Sequence, residues 1–303
     1  MSHLTIASPA EQRARDELSF SAWGAGLTRP QFLEREQRLR AHAWARKALT
    51  TWLWQDDRGA TLSSCESFPD EAQVGTRAGT AATIASVFTD PALRGLGHAA
   101  SMLAAVVERL RGDPSCLAVT LFSEIGTAYY QRLGFWPVPA FDTFFPARAD
   151  SPPGVAWLNA PLPGPGHAAG DPHTLRLALS SARLDWHLER ERFYTAALGR
   201  TPLGTHGARV GGSTITWTAY WKTGELQVLS LDAREPAHLP SLLHAAQHAA
   251  HLAGLPVVRV WETLELTALP SARRVERTDE VAMFLPLRPG VQGWTLVERG
   301  LWA

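Results

Sequence analysis

The stretch that decides the fold is TIASVFTDPALRGLGHAASML, residues 83–103. Its opening, TIASVFT (83–89), is rich in β-branched side chains and reads as a strand. Pro91 ends that run, and Arg94-Gly95-Leu96-Gly97-His98-Ala99 leads into residues 97–111. There Met102, Leu103, Val106, Val107 and Leu110 form one apolar helical face. Glycines at a strand-to-helix turn let a ligand approach the backbone, because no Cβ stands in the way. The helix start adds free N–H groups and the positive end of the helix dipole. Together they form a cradle for a pyrophosphate, with Arg94 as a fixed cation beside it. The turn is not a Walker loop, since Gly-Lys-Ser/Thr is missing, nor a dinucleotide fingerprint, which needs a third glycine. On its own it fits a phosphate-bearing cofactor or an ordinary strand–helix turn.

Outward from this stretch the first half alternates element types. Residues 4–7 read as a strand, 9–22 and 30–47 as helices, and 50–57 and 61–68 as strands joined at Asp57-Arg58-Gly59. A loop is expected through Gly75 and Gly79. CLAVTLFS (116–123) is a strand apolar enough to be buried on both faces, and 126–133 a short helix closed by Gly134. FWPVPAFDTF (135–144) begins as a strand. This order predicts an α/β (α+β) domain built on one mixed sheet flanked by helices. The second half has a similar outline. It reads as a helix over 180–198, a hairpin of 215–221 and 225–231 around Lys222-Thr223-Gly224, a helix over 237–253, a strand in VVRVWETL, and a terminal strand within VERTDEVAMFLPL. It has no glycine-rich turn between strand and long helix. The stretch 146–172 holds seven prolines and reads as the seam. It divides the chain into a domain at 1–150, a linker at 151–172 and a domain at 173–303.

Composition excludes several classes. Of 303 residues, 45% are hydrophobic and 19% charged, which rules out wholesale disorder. Lys+Arg and Asp+Glu are 29 each, so there is no surplus of cations for a nucleic-acid partner. No apolar run approaches the length of a membrane span. The first thirty residues carry Glu11, Asp16 and Glu17 and lack the apolar core of a secretion signal. Cys65 and Cys116 are too few for a disulfide framework or a four-cysteine zinc site. His244, His248 and His251 share a helical stripe, but no Glu follows the first His in a zinc-protease pattern. A cytoplasmic protein without a metal is expected. The twelve tryptophans are scattered and read as core and pocket walls.

The Arg-x-x-Gly-x-Ala pattern of Arg94, Gly97 and Ala99 resembles motif A of the GCN5-related N-acetyltransferases (GNAT). Leu121-Phe122-Ser123 followed by Tyr129-Tyr130-Gln131-Arg132-Leu133-Gly134-Phe135 resembles the family's motif B. The resemblance implies that Arg94 to Ala99 bind the pyrophosphate of acetyl-coenzyme A. It implies that backbone amides at Val87, Phe88 and Thr89 pair with the pantetheine arm and stabilise the thioester oxyanion. It places Tyr130 at the coenzyme thiol as the general acid. Tyr129 is its control, because adjacent helical residues point to different faces. Ser123 stands where many members carry asparagine and either bonds the pantetheine arm or caps the next helix. Two candidates for the base are Glu66 and Glu124. Cys65 reads as a small buried hydrophobe.

Residues 84–103 and LFSEIGTAYYQRLGF (121–135) are most similar to the fungal lysine N-epsilon-acetyltransferases, as are LSSCESF (62–68) and LDWHLERERFY (184–194). The enhanced-intracellular-survival acetyltransferases are a looser likeness. The resemblance implies a catalytic GNAT domain followed by a degenerate one, with acetyl-coenzyme A as cosubstrate. It favours a small-molecule amine acceptor, free lysine first. Protein lysine, an aminoglycoside-like polyamine and a non-catalytic acyl-coenzyme A sensor are the alternatives. Asp185, Trp186, His187, Glu189 and Glu191 either hold an amino-acid acceptor or form the charged face of an amphipathic helix.

Overall fold

The computed structural model describes residues 2–162, 171–264 and 266–302. Strand β1 (Ser2–Ile6) precedes helices α1 (Pro9–Trp23), α2 (Arg29–Ala41) and α3 (Ala45–Ala48). Strands β2 (Thr50–Asp56), β3 (Thr61–Val74) and β4 (Arg77–Phe88) lead through a 3-10 turn at Pro91–Leu93 to α4 (His98–Arg111). Then come β5 (Cys116–Ser123), α5 (Ala128–Gln131), β6 (Trp136–Pro137), β7 (Phe141–Pro146), β8 (Ala156–Leu158) and β9 (Thr174–Leu177). The rest is α6 (Ser181–Ala197), β10 (Gly207–Val210), β11 (Ser213–Tyr220), β12 (Glu225–Asp232), α7 (Leu239–Leu252), β13 (Val257–Trp261), β14 (Arg273–Glu276), β15 (Val281–Pro286) and β16 (Gly293–Trp294).

Local chemistry sets most of these boundaries. Ser8 with Glu11, and Thr28 with Gln31, form reciprocal capping boxes at the starts of α1 and α2, each with a proline in the first turn. The helix expected over 30–47 is broken. His42 has extended backbone angles, its ring accepts the Trp44 N–H (3.3 Å), and its Nε2 meets Asp185 (3.1 Å). The loop expected through Gly75 and Gly79 is instead a tight hairpin. Gly75 takes φ +56 at the turn, and Gly79 lies inside β4, where a Cβ would come within 2.4 Å of the Ser115 carbonyl oxygen.

Two sheets result. The first runs β1-β2-β3-β4-β5-β15-β6, with β9 paired to β3 and β16 to β9; the second runs β14-β7-β13-β12-β11-β10-β8. Each contains a parallel pair, β4 with β5 and β12 with β13, joined across a face by α4 and α7 respectively. Each pair is flanked by an antiparallel strand from the other half of the chain. β15 lies on β5 from Val281↔Ser123 to Pro286↔Ala118, and β7 lies on β13 from Pro146↔Val257 to Asp142↔Trp261. The sheets therefore do not divide at the proline-rich seam. β7 precedes it and belongs to the second sheet, whereas β9, β15 and β16 follow it and belong to the first. Inside the expected linker, β8 pairs with β10, and residues 163–170 lie outside the described residues. The terminal VERTDEVAMFLPL stretch supplies strands to both sheets, because β14 pairs with β7 and β15 with β5.

Apolar burial follows the same plan. Met102, Leu103, Val106 and Val107 of α4 pack on the first sheet, and Leu242, Leu243, Ala246 and Ala250 of α7 on the second. A third cluster joins the halves, with Leu117 and Ala118 of β5, Leu184 and Leu188 of α6, Leu229 of β12 and Phe284 of β15.

Candidate active site

The turn between β4 and α4 has the backbone its sequence demands. Gly95 and Gly97 both sit at φ +80, a region L side chains rarely adopt, and a Cβ at either would meet nothing within 4 Å. The space over the turn is open to a ligand. The first intrahelical bond runs from the Ser101 N–H to the Gly97 carbonyl (3.0 Å), and no side chain caps the helix. The amides of residues 98–100 thus remain at the positive end of a four-turn helix. Arg94 donates through Nε to the Thr89 carbonyl (3.2 Å), which holds its guanidinium beside the turn.

Below this cradle β4 parts from β5. The last paired residues are Ile84 and Leu121. On its other edge β4 bulges against β3, where Glu66 faces Ala85 but Ser64 faces Phe88, and Ser86 takes φ +53. The bulged segment is fixed in place. Arg15 donates to the Ser86 carbonyl (2.9 Å), and Ser63 donates to the Phe88 carbonyl (2.8 Å). The cleft so opened is part of a cavity of about 870 Å³.

Val87, Phe88, Thr89, Arg94, Gly95, Gly97, His98, Ala99 and Tyr130 all line that cavity. Leu96 and Ser123 do not. The Leu96 side chain is 65% exposed on the outer side of the turn. Ser123 is buried, donates to the Gly126 carbonyl and accepts the Ile125 N–H (3.4 Å). It holds the turn after β5 and does not cap α5, whose N-cap position is Thr127 with no side-chain bond.

Both tyrosines reach the cavity wall. Tyr130 is the buried one, its ring edge-on to Tyr129 (5.1 Å between centroids) and to Phe135 (5.9 Å). Burial, and after it the neighbouring Tyr129, pushes the Tyr130 phenol up, so the hydroxyl keeps its proton near neutrality. Tyr129 is half-buried, beside the Arg132 guanidinium (5.9 Å from its ring centroid).

The candidate bases differ. Glu66 is buried and engaged by Arg15 (3.1 Å) and Arg40 (3.5 Å). Glu124 also lines the cavity and stays open to solvent; partial desolvation by the cleft walls, then the charges of Glu280 and Asp279, raise its carboxyl above the ordinary range. It forms no ion pair among the described residues, so its oxygens are available as proton acceptors. The Cys65 thiol is fully buried, and that burial pushes it up to about 12, which leaves it inert as a nucleophile.

The second half of the chain supplies Trp186, Arg190, Tyr194, Tyr220, Lys222 and Trp302 to the same cavity. Of the α6 residues picked out by sequence, only Trp186 faces it. Asp185 pairs with His42 (3.1 Å) and Arg192 (3.3 Å), and Glu189 with Arg38 and Arg192. His187 is buried against the Gly300 carbonyl (3.0 Å), and Glu191 accepts from Thr218 (2.8 Å) and the Ala219 N–H (2.8 Å). These carboxylates serve the fold. The residues that sequence reading missed, Arg190 and Tyr194, continue the stripe of Trp186 at intervals of four, a spacing that could have marked one helical face. Tyr220 and Lys222, at the β11–β12 hairpin, carried no such signal. The histidine stripe of α7 is elsewhere, with His244 on Asp150 (3.1 Å). Among the described residues no group of His, Cys, Asp or Glu could hold a metal ion, and no helix is long and apolar enough to cross a membrane.

Comparison with known proteins matches residues 16–135 to the acetyltransferase (GNAT) family and residues 176–288 to the LYC1 GNAT-like C-terminal domain. No curated protein sequence matches the chain. Among solved structures, a probable N-acyltransferase from Enterococcus faecalis is 12% identical and superposes with a TM-score of 0.62 over 95% of this chain and 73% of its own. Eis1 from Mycobacterium abscessus is 12% identical, with a TM-score of 0.58 over 95% of this chain and 74% of its own. A GCN5-related N-acetyltransferase from Kribbella flavida is 15% identical, with a TM-score of 0.57 over 94% and 72%. At such identities the structures establish the shared two-sheet fold. Together with the two family matches, one in each half, they show a chain built of two GNAT-like domains, the first of which matches the acetyltransferase (GNAT) family.

Proposed function

We infer that the protein transfers an acetyl group from acetyl-coenzyme A to a small primary amine, with free lysine the favoured acceptor. The observation that carries this reading is convergence. An uncapped, glycine-lined helix start, a splayed strand edge and a proton-bearing tyrosine all line one cavity. The donor set fits a pyrophosphate: open glycines, the amides of residues 98–100 and the Arg94 cation.

Acetyl-coenzyme A supplies an activated acyl group as a thioester. The chain's own residues do the rest. Glu124 accepts the proton that an alkylammonium must shed before its nitrogen can attack. The amides of Val87 to Thr89 meet the negative charge that develops on the carbonyl oxygen. As the N–C bond forms and the C–S bond breaks, the attacking nitrogen sheds its second proton to solvent, and the Tyr130 hydroxyl gives its proton to sulfur and is reprotonated from solvent. The likeness of residues 84–103, 121–135 and 184–194 to the fungal lysine acetyltransferases is what favours lysine as acceptor. Two free, buried cysteines suit the cytoplasmic location we propose. The test is coenzyme release with a thiol reagent across a panel of lysine, its esters, short lysine peptides, polyamines and an aminoglycoside. Release above background with lysine supports the reading, and release only with peptides or aminoglycoside moves the acceptor class.

A further inference from the structure

Four guanidiniums line the inner part of the cavity, and three are matched by carboxylates. Arg15 lies on Glu66 (3.1 Å), Arg35 on Glu36, and Arg40 on Asp16 with Glu36 and Glu66 each at 3.5 Å. Arg190 differs. It projects from α6 into the cavity, its Nη1 is fully buried without a hydrogen-bond partner, and it has no carboxylate partner among the described residues. Two indoles hold the guanidinium instead, with Trp186 at 5.1 Å and Trp302 at 4.8 Å between its carbon and the ring centroids. An arginine does not shed its proton to relieve such a position. Nearby, the Lys222 ammonium meets the Trp23 carbonyl (3.5 Å) and Tyr194, whose hydroxyl it hydrogen-bonds and whose ring centroid lies 5.4 Å away. This wall therefore presents two cations that form no ion pair with a carboxylate among the described residues, apart from the cradle at the start of α4. Glu124 stands close enough to Arg190 for the two charges to interact, so a base and an anchor share one space.

We propose that Arg190, supported by Lys222, binds the carboxylate of the acceptor, so that the enzyme selects amines that carry a carboxylate. This rests on the acetyltransferase reading above. A planar guanidinium whose N–H groups are unused matches a carboxylate in a two-pronged geometry. The flanking indoles offer apolar faces to the methylene stem between the acceptor's carboxylate and its amine. A polyamine or aminoglycoside brings only positive charge to this wall and is repelled by it.

The experiment uses the full chain and three probes of equal amine reach: lysine, lysinamide and 1,5-diaminopentane. kcat/KM is measured for parent, Arg190→Gln and Arg190→Lys, and calorimetry follows binding of the same probes to coenzyme-saturated protein. In the parent, lysine should exceed both carboxylate-free probes by about 10²-fold, the loss typical of removing one partner of a buried charge pair. Arg190→Gln should bring that ratio down to about 1, and Arg190→Lys should restore part of it. A merely structural role would lower all three probes together and lower the thermal midpoint; removal of an unpaired buried charge should not destabilise the fold. A parent indifferent to the carboxylate, or a ratio unchanged in Arg190→Gln, overturns the assignment while leaving acetyl transfer intact. If no probe is acetylated, the acetyltransferase reading fails on its own. The calorimetric arm then decides the anchor, since lysine binding that needs both its carboxylate and Arg190 sustains it and equal binding of lysinamide overturns it.

Discussion

The mechanism we propose gives the neighbours Tyr130 and Tyr129 different jobs, and a single oxygen atom separates them experimentally. Tyr130→Phe keeps the buried ring and its contacts with Phe135 and removes only the hydroxyl. kcat should fall by about 10²–10⁴-fold with little change in acetyl-coenzyme A affinity, because the hydroxyl acts on the leaving sulfur. Tyr129→Phe should cost little, and steady-state kinetics under chemistry-limited conditions compares them. A second residue-scale test concerns Glu298, whose burial pushes its carboxyl up to about 7 despite hydrogen bonds from Ser230 (2.7 Å) and the Leu231 N–H (3.1 Å). Since the folded state holds that proton more tightly than the unfolded chain, the contribution of Glu298 is complete below its ordinary pKa of 4.5 and is lost as pH rises through about 7. Each tenfold difference in proton affinity between the two states is worth about 1.4 kcal/mol. Glu298→Gln should flatten the decline of the thermal midpoint across that window, and an unchanged slope would count against it. Legibility at this scale was uneven. Arg94, Gly95, Gly97 and Tyr130 could be read because their spacing is set by one local turn or helix. The helical face of Arg190 could be read from its spacing to Trp186, but not its lack of a carboxylate partner, which like the placing of Lys222 is a tertiary property.

At the scale of elements, the start of α4 is the test. Arg94→Ala removes the cation beside the turn and should weaken acetyl-coenzyme A binding by about tenfold, the value of one charge-assisted contact. Gly97→Glu places a side chain at φ +80 and a carboxylate where the pyrophosphate belongs. It should weaken binding more, while the fold survives, as calorimetry beside circular dichroism would show. Strand, turn and helix here followed from β-branched residues, two glycines and an apolar stripe. The β3–β4 hairpin was misread as a loop because Gly75 and Gly79 look alike in sequence. One is needed for a positive φ and the other for the close approach of the Ser115 carbonyl. The break at His42 was hidden because its cause, Asp185, lies on α6.

For the molecule as a whole, the exchange of β7 and β15 governs what can be cut. Ending the chain at 150 removes β15 from the edge of β5 and strips β9 from β3. It leaves an apolar strand with an unpaired edge and should give an insoluble or unfolded fragment. A monomeric, cooperatively melting 1–150 fragment would show that β15 is dispensable. The kinship of the two halves was legible from the repeated strand–helix–strand order. Which sheet each late strand joins was not, because pairing across more than a hundred residues leaves no local pattern. The same exchange explains how one cavity draws its walls from both halves, with the cradle and Tyr130 from the first and Arg190, Lys222 and Trp302 from the second.

The reaction proposed for this cavity moves an acetyl group onto an amine nitrogen. The most direct measurement incubates the protein with acetyl-coenzyme A labelled in the acetyl group and with lysine, then follows the label by mass spectrometry, with Gly97→Glu as the matched control. Labelled acetyl-lysine and free coenzyme should form in equal amounts, with the control far slower. Coenzyme bound tightly while the label stays on the thioester, or appears only as acetate, would contradict the proposed transfer.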